Sequence, residues 1–455
     1  MSPQASVRNG IEIPTETIDR LRALHRGPLL RPGDPGYDDS RTVWNAMIQR
    51  RPALIARCLG VADVIAGVRF AREQGLTLAI KGGGHNIAGL GTCEGGLLLD
   101  LCLMRGVWVD PKERMARAQA GCLLGDVDRE TQLHGLAATL GFVSNTGIAG
   151  LTVGGGFGYL TRRFGWTSDT VTEMEVVTGD GRLLRASERE NQDLFWGLRG
   201  GGGNFGVVTR FDYRLEPVGP EIVGGAIAWR DERAPEILEM AREIMAGAPP
   251  ETSLVAGVRR APPAPWLAKD VHGQGIVLLV LCHTGRVEEG ERLVGRLKAV
   301  AGSVGDVLQR RPYTSQQSLL DATQPKGRRY YWKSEYLSEI ASPHSAILLF
   351  PLGDALAKLP GEHSAVGNRD ARWVVNITAA WEDAEEDATH VEWARVAWRD
   401  LRSFSTGGVY VNFLTEEEGG DRIQSAYGDN LARLVEIKRR WDPENLFRTN
   451  KNIAP

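Results

Sequence analysis

Three glycine-rich segments contain the residues of this chain whose types and spacing could do chemistry. In the first, AIKGGGHNIAG (79–89), an apolar strand runs into three glycines and a single histidine, His85. The other two are TGIAGLTVGGGFGYLTRRFG (146–165) and RGGGGNFGVVTRFDYRL (199–215). Glycine lets a backbone approach a ligand closely, and successive backbone N–H groups can form a concave site for an anion. The three clusters therefore favour a bound anionic group over isolated surface turns.

The common nucleotide-binding fingerprints do not fit these clusters. Gly201, Gly203 and Gly206 match GxGxxG, but that motif should follow a strand and open a helix. Here it follows DLFWGLR, which is typical of a helix, and precedes VVTRFDYRL, which alternates like a strand. No cluster is followed by GK[ST], so a Walker A loop is excluded. A backbone nest formed by KGGGHNIAG is the interpretation that remains.

The elements that must position the clusters change in type along the chain. Residues 1–37 are predicted to form an N-terminal helical arm, and residues 38–217 contain a parallel βαβ unit and all three clusters. Residues 218–405 alternate helices with strands such as RYYWKSEYL and RWVVNITAAW, which indicates an antiparallel sheet with helices on one face. Residues 406–455 form a distinct C-terminal segment. The predicted fold class is α+β.

Composition argues against several other classes of protein. A formal net charge of −3 without a dense Lys/Arg tract disfavours nucleic acid or an anionic membrane as partner. The longest apolar run, residues 276–282, is too short to span a bilayer, and no secretory signal pattern is visible. The five cysteines lack CxxC spacing, which predicts reduced thiols in a cytoplasmic protein and no metal site.

Four separated segments resemble the FAD-linked oxidoreductases of the vanillyl-alcohol-oxidase type, in the branch of berberine bridge enzyme and 6-hydroxy-D-nicotine oxidase. They are KGGGHNIAG, SNTGIAGLTVGGGFGYLTRRFGWTSDTV, LFWGLRGGGGNFGVVT and the C-terminal stretch that begins YVNFLTEEEGGD. They occur in family order from about residue 38 to the end of the chain. The resemblance implies a two-part FAD-binding domain, residues 38–217 completed by residues 406–455. Residues 218–405 would form the substrate domain, above the reactive face of the flavin.

The resemblance also implies how the cofactor is held. The GGGH loop would bind the FAD pyrophosphate through backbone amides, and His85 would be bonded covalently to the 8α-methyl group of the isoalloxazine. Many relatives have a second link through a cysteine, but Val143 occupies that position, so we expect a single link through His85. The implied cofactor-binding residues are Lys81, Gly82, Gly83, Gly84, His85, Asn86, Gly89, Leu90, Thr146, Gly147, Gly150, Gly156, Gly158, Gly206, Val208, Tyr410 and Asn412.

The catalytic base is left open. Many relatives carry Glu or Gln on a strand that faces the flavin, but alignment puts Asn376 there, and an amide cannot take a proton at neutral pH. Phe157 likewise replaces a tyrosine of the relatives. The remaining candidates are Tyr410, Tyr331 and Lys333, and an amine substrate that arrives neutral needs no base at all.

Two of these residues have simpler interpretations. Tyr331, Lys333 and Glu335 share one strand face by alternation, so Lys333 and Glu335 can equally form an ordinary surface pair. Thr146 falls where relatives place residues beside the reactive face of the flavin. Its small side chain leaves room for O₂, which favours an oxidase over a dehydrogenase.

These inferences predict an FAD-dependent oxidase that moves a hydride from an alcohol or amine carbon of a small molecule to flavin N5. O₂ would reoxidise the flavin and yield H₂O₂. The twelve tryptophans and the segment RRYYW favour an aromatic or natural-product-like substrate. The alternatives are a dehydrogenase with another electron acceptor, and a non-redox cyclase or binding protein that holds a flavin.

Overall fold

The computed structural model describes residues 13–337 and 347–455, and the strands of these residues form four sheets. The strands are β1 (Leu29–Leu30), β2 (Leu54–Arg57), β3 (Leu78–Lys81), β4 (Leu97–Asp100), β5 (Val107–Asp110), β6 (Met115–Gln119), β7 (Leu136–Ala137), β8 (Val171–Val177), β9 (Leu183–Ser187), β10 (Val207–Arg214), β11 (Glu216–Pro217), β12 (Glu221–Arg230), β13 (Thr252–Arg260), β14 (Gly275–His283), β15 (Ser303–Asp306), β16 (Gln309–Pro312), β17 (Arg329–Leu337), β18 (Ile347–Pro351) and β19 (Trp373–Trp381). The α-helices are α1 (Thr15–Arg22), α2 (Tyr37–Arg41), α3 (Val61–Glu73), α4 (Leu124–Gln132), α5 (Ile148–Val153), α6 (Thr161–Phe164), α7 (Gln192–Leu198), α8 (Ala234–Gly247), α9 (Val287–Lys298), α10 (Tyr313–Gln317), α11 (Asp387–Leu401), α12 (Gly420–Tyr427) and α13 (Leu431–Trp441).

A small sheet with the order β1-β2-β4-β3 presents the first glycine cluster. β2 and β3 both run parallel to β4, and α3 provides the crossover between them. The predicted parallel βαβ unit is therefore confirmed, with β4 inserted between its two strands. β3 ends at Lys81, so the glycines follow directly from the edge of the sheet.

The described part of the predicted N-terminal arm packs in the apolar core that contains β2 and β4, called the first core below. Only residues 15–22 of the stretch 13–36 form an α-helix. Ile18 and Leu21 of that helix pack in the same apolar cluster as β2 and β4, and β1 pairs with β2. Residues 1–12 of the predicted arm lie outside the described residues.

A five-stranded antiparallel sheet, β5-β6-β10-β8-β9, holds the third cluster. α7 ends at Leu198 just before the glycines of that cluster, and β10 begins at Val207 just after the last of them. The cluster therefore lies between a helix and a strand, which is the reverse of the order that a dinucleotide fingerprint requires.

An eight-stranded antiparallel sheet, called the large sheet below, has the order β15-β12-β14-β13-β18-β19-β17, with β16 also paired to β12. α8, α9 and α11 cover one face, where Val375, Ile377 and Ala379 of β19 point. The alternate residues of β19 point to the other face, which covers the cavity described below. The predicted antiparallel sheet with helices on one face is confirmed.

The C-terminal segment returns to the first core. Leu434 and Ile437 of α13 pack in the same apolar cluster as α7. The buried Lys438 Nζ donates to the carbonyl oxygens of Asn204 (2.9 Å) and Phe447 (3.0 Å) and pairs with Asp442 (2.6 Å). The fold class is α+β, while the domain boundaries at residues 37, 217 and 405 stay predictions. Within residues 13–337 and 347–455, every helix is too short or too polar to cross a membrane.

Candidate active site

A cavity of about 350 Å³ lies between the three glycine clusters and the large sheet. One wall is formed by the clusters, and the opposite wall by the free face of β13, β14, β17, β18 and β19. Residues 410–413 of the C-terminal segment close the space between them. The fold thus brings together segments that lie up to 373 positions apart, from Leu78 to Lys451.

The glycine loop, residues 82–86, follows β3 and fits tightly against the second cluster. A Cβ added to Gly83 would lie 2.4 Å from the Cα of Gly147, and a Cβ on Gly147 would lie 2.3 Å from the nitrogen of Gly83. Gly84 adopts a φ of +67°, in the left-handed region. The backbone N–H groups of residues 83–86 have no acceptor among the described residues, so they are free to bind an anion.

Lys81, the last residue of β3, supports this loop through its buried side chain. Its buried Nζ lies 3.3 Å from the Oδ2 of Asp100 and donates to the carbonyl oxygen of Ser40. Asp100 also accepts from Arg57 Nε at 3.1 Å. Lys81 lines the cavity, but its charge is already compensated, so it supports the loop more than it neutralises a ligand.

His85 is held by an aromatic stack. Its ring lies over Trp44 with centroids 4.3 Å apart, and Trp44 stacks in turn on Tyr330 at 3.7 Å. The Nε2 of His85 is buried without a hydrogen-bond partner. Burial lowers the pKa of His85 to about 4, so its imidazole is neutral near neutral pH. A neutral ring with an unpartnered nitrogen in the cavity suits covalent attachment to a flavin.

The residues after His85 shape the turn. The Oδ1 of Asn86 accepts from the backbone N–H groups of Ala88 and Leu90, both at 3.1 Å. Asn86 and Leu90 line the cavity. Gly89, with a φ of +68°, packs against Ile48 and lies outside the lining, so the structure corrects the expectation that it contacts the cofactor.

The second and third clusters contribute unequally. Among the predicted cofactor-binding residues of these clusters, those that line the cavity are Thr146, Gly147, Gly150, Gly206 and Val208. Gly156 and Gly158 do not line it. A Cβ on Gly158 would lie 1.8 Å from the carbonyl oxygen of Leu140, and one on Gly156 would lie 2.4 Å from Thr167 Oγ1. These two glycines permit close packing behind the cavity, which corrects their assignment as cofactor contacts.

Tyr410 and Asn412 line the cavity from the C-terminal segment. The Tyr410 hydroxyl accepts from the N–H of Gly156 and from Asn412 Nδ2, both at 2.9 Å. Asn412 Nδ2 also lies 3.2 Å from the carbonyl oxygen of Gly150. Burial raises the pKa of Tyr410 well above its ordinary value, so the phenol stays protonated and can donate a hydrogen bond to a ligand.

Asn376 lies on β19 and lines the cavity opposite the clusters. Its Oδ1 is buried and has no hydrogen-bond partner, which leaves an acceptor for a ligand O–H or N–H. None of the described residues that line the cavity is Asp or Glu. The described lining therefore offers no carboxylate as a base.

Tyr331 and Lys333 do not reach the cavity, which corrects the prediction that either acts as a base. β17 presents Trp332 to the cavity, so alternation turns Tyr331 and Lys333 to the opposite face. There Lys333 Nζ contacts Glu417 Oε1 at 2.9 Å, and the Tyr331 hydroxyl donates to the same carboxylate. The side chain of Glu335 lies outside the described part of the structure.

Sequence patterns did not identify Trp44, or the apolar wall contributed by the large sheet, as part of the site. The residues on that wall, with the segment that borders it, are Val255, Arg259, Leu278, Val280, Leu320, Thr323, Gln324, Trp332, Leu348 and Phe350. Alternation identifies the two faces of each predicted strand, but both faces are apolar here, and so the pattern does not show which face covers the cavity.

Metal ligands and cysteines are not part of the described lining. Within residues 13–337 and 347–455, no group of three or more His, Cys, Asp or Glu side chains could hold a metal ion. The five cysteines are all described and all free, and none of them lines the cavity, whereas Val143 lines it at the position discussed above.

Comparison with known proteins defines the class. Residues 52–187 match a family model described as "FAD binding domain", and residues 409–454 match "Berberine and berberine like". (R)-6-hydroxynicotine oxidase of Paenarthrobacter nicotinovorans is 30% identical, covering 94% of this chain and 97% of that protein. Chitooligosaccharide oxidase of Gibberella zeae is 26% identical, covering 97% and 96%. A crystal structure of 6-hydroxy-D-nicotine oxidase from Arthrobacter nicotinovorans has a TM-score of 0.83 at 28% identity, covering 95% and 98%.

The chain belongs to the FAD-linked oxidoreductases of the vanillyl-alcohol-oxidase type, in the branch that contains berberine bridge enzyme and 6-hydroxynicotine oxidase. It is a flavoprotein oxidoreductase. The residues present fit FAD, because free N–H groups in the glycine loop suit the pyrophosphate and the unpartnered His85 nitrogen suits the flavin ring.

Proposed function

We propose that this protein is an oxidase for an alcohol or amine carbon of a small aromatic molecule. Bound FAD would supply the hydride acceptor at N5 for that carbon, and O₂ would serve as the final oxidant, with H₂O₂ as its product. The observation that supports the proposal is one cavity with His85 and the glycine loop on one wall and an apolar, aromatic sheet face on the other. Small molecules bind in such apolar cavities, where a few polar groups fix the orientation of the bound molecule.

The polar groups of the cavity can orient a substrate without ionising. The protonated Tyr410 hydroxyl can donate to a substrate oxygen or nitrogen, and the unpartnered Asn376 Oδ1 can accept from its O–H or N–H. Thr146 has a small side chain at the cavity wall, which leaves room for O₂.

The described lining favours an amine over an alcohol. Oxidation of an alcohol requires a group that takes the hydroxyl proton, and the usual carboxylate is missing from the described lining. A neutral amine can lose a hydride without prior proton removal, so Asn376 and Tyr410 need only position it.

The activity is tested with matched panels of aromatic amines and alcohols. Under anaerobic conditions a substrate should bleach the visible flavin band, and admission of air should restore the band with release of H₂O₂. A dehydrogenase would keep the reduced spectrum for minutes in air. A non-redox cyclase or binding protein would show no bleaching with any member of either panel.

We further propose that FAD is linked covalently through His85 alone. The support is the unpartnered Nε2 of His85, the valine at position 143 and the placement of the cysteines outside the cavity. Acid-precipitated wild-type protein should stay yellow, whereas His85→Ala should release its colour into the supernatant.

Cys102→Ala is the matched control for this experiment. The Cys102 Sγ donates to the carbonyl oxygen of Gly82 at 2.7 Å, so it is a thiol in contact with the same loop. This variant should keep its yellow precipitate. A yellow precipitate from His85→Ala would contradict a link through His85 alone, and loss of colour from Cys102→Ala would show that the link runs through Cys102 instead.

A further inference from the structure

Arg259 places a charged side chain in the apolar wall of the cavity. It lies near the end of β13, where Val255 and Arg259 line the cavity and Gly257 lies between them on the same face. A Cβ on Gly257 would lie 2.6 Å from Leu348 Cδ2, so Leu348 of β18 fills that space. Leu278 continues the apolar surface on β14, and the guanidinium of Arg259 is thus set among hydrocarbon groups.

Among the described residues, no carboxylate neutralises Arg259. Within residues 13–337 and 347–455, its only hydrogen bond runs from Nε to the carbonyl oxygen of Arg260 at 3.2 Å. Burial and the nearby Arg328 both lower the pKa of Arg259, and Arg328 is itself paired with Glu382 at 3.4 Å. Both terminal nitrogens of Arg259 are therefore free to donate to a ligand.

The other cationic side chains of the cavity are already engaged. Lys81 pairs with Asp100, and Lys451 Nζ donates to the carbonyl oxygens of Thr415 and Glu418. Both lie on the side of the glycine clusters. The described lining of the cavity contains no Asp or Glu. On the wall formed by the large sheet, Arg259 is therefore a positive charge that no described lining residue compensates.

The lining of the same cavity also contains polar atoms without partners. Asn376 Oδ1, Gln324 Oε1 and Trp332 Nε1 are buried and make no hydrogen bond within the described residues. Asn376 is two strands away from Arg259, across β18, which is a separation of about 10 Å between the strands. An aromatic ring with substituents at both ends can span that distance.

We propose that Arg259 binds a carboxylate of the substrate, so that the substrates are aromatic amines or alcohols that carry a carboxylate. The inference rests on the proposed function, because it names the substrate class of the same cavity. A guanidinium binds a carboxylate through two parallel hydrogen bonds, and a neutral analogue leaves it unpaired.

Binding is tested by isothermal titration calorimetry of the FAD-loaded protein with benzoate and with its neutral analogue benzamide. Benzoate should bind more tightly, and Arg259→Gln should weaken benzoate roughly 10- to 100-fold while benzamide is unchanged. Arg259→Lys should restore part of the affinity, since it keeps the charge but loses the paired geometry. The control is Arg260→Gln, because exposed Arg260 donates to Gly273 away from the cavity and should bind like wild type.

Turnover is tested with benzylamine and para-aminomethylbenzoate. The carboxylate substrate should have a kcat/KM roughly 10- to 100-fold higher, and Arg259→Gln should remove that difference through KM. Equal turnover of the two amines, or a preference that survives in Arg259→Gln, would overturn the inference and leave the oxidase proposal standing.

The two proposals fail in different ways. If neither amine reduces the flavin but benzoate binding depends on Arg259, the anion site stands and the oxidase proposal fails for this substrate class. If wild-type protein binds benzoate and benzamide alike, or binds neither, the carboxylate inference is overturned.

Discussion

Tyr410 can donate a proton in a hydrogen bond but is poorly placed to remove one. Its oxygen already accepts from Gly156 and Asn412, and burial raises its pKa far above neutrality. Ionisation would place a phenolate in a mostly apolar cavity without a cation beside it. The Tyr410 hydroxyl is therefore a hydrogen-bond donor in a fixed position, which can orient a reacting oxygen or nitrogen.

Tyr410→Phe tests this role. The variant should reduce its flavin roughly 10- to 100-fold more slowly, because substrate orientation is lost and the Gly156 N–H is left unpaired. The pH profile of flavin reduction should keep the shape of the wild-type profile, since Tyr410 does not titrate in that range. Stopped-flow measurement of the reductive half-reaction across pH gives both results.

Tyr159→Phe is the control for Tyr410→Phe, since Tyr159 is also buried but lies away from the cavity. Its rate of flavin reduction should match that of wild type. An alkaline limb in the wild-type profile that disappears in Tyr410→Phe would show that Tyr410 acts as a base after all.

The faces of β17 show what sequence patterns can and cannot predict. Alternation correctly grouped Tyr331 with Lys333, but Trp332 of the opposite face is the residue that meets the cavity. Both faces carry aromatic residues, so local pattern gives no reason to choose between them. The choice is made by packing of α11 and the C-terminal segment, which involves residues more than 50 positions away.

The glycine clusters show which parts of the site can be identified from sequence and which depend on the packing of distant segments. His85 and most of its loop were predictable because a close approach of backbone to ligand requires glycine wherever it occurs. Contact of Gly83 with Gly147, and the stack of Trp44 on His85, depend on how distant segments pack and leave no local signature. Gly156 and Gly158 were misassigned because glycine required for packing looks the same in sequence as glycine required by a ligand.

β17 is joined to the C-terminal segment by a cluster of charged side chains, in which Lys333 and Glu418 are buried and Glu417 is partly exposed. Lys333 Nζ lies 2.9 Å from Glu417 and 3.4 Å from Glu418. Burial alone would raise the pKa of Glu417, but hydrogen bonds from Arg395, Tyr331 and Lys333 outweigh it and lower the pKa to about 2. The cluster connects the large sheet to the segment that carries Tyr410.

Lys333→Met should therefore affect stability and leave the chemistry intact. Removing the cation leaves the buried Glu418 carboxylate less compensated, which should lower the free energy of unfolding by on the order of 3 kcal/mol. The pH profile of flavin reduction should keep its shape. Urea denaturation and stopped-flow reduction of the same samples measure the two effects.

The control for Lys333→Met is Lys326→Met, an exposed lysine shortly before the same strand, which should be as stable as wild type. A catalytic role for Lys333 predicts the opposite pattern. In that case Lys333→Met would unfold like wild type, and one limb of its pH profile would be missing.

The cavity depends on contacts that hold the large-sheet region against the first core. Ser144 beside the second cluster donates its N–H to Asp321 Oδ1 at 2.8 Å, and Gln317 of α10 donates to Asp128 of α4 at 3.1 Å. Asp128 is almost fully buried, and its Oδ1 has no partner. This carboxyl lies where the two regions meet, so its ionisation bears on how firmly they are held together.

Burial raises the pKa of Asp128 to about 7, although the bond from Gln317 opposes the shift. In the unfolded chain its pKa is about 3.9, so between about pH 4 and pH 7 the folded protein keeps a proton that the unfolded chain has released. The contribution of Asp128 to the free energy of unfolding therefore falls as pH rises through this window, and it stays low above it.

Asp128→Asn removes the titration and keeps the shape of the side chain. The difference in unfolding free energy between variant and wild type should rise in favour of the variant from about pH 4 to pH 7, by up to about 4 kcal/mol, and then level off. Urea denaturation of the FAD-loaded proteins at a series of pH values measures it, with the half-exposed Glu130→Gln on the same helix as control. Glu130→Gln should follow the wild-type pH dependence, because that side chain is half-exposed to solvent. A difference for Asp128→Asn that is flat or falls across this window would mean that Asp128 is ionised in the folded protein, compensated by groups other than Gln317.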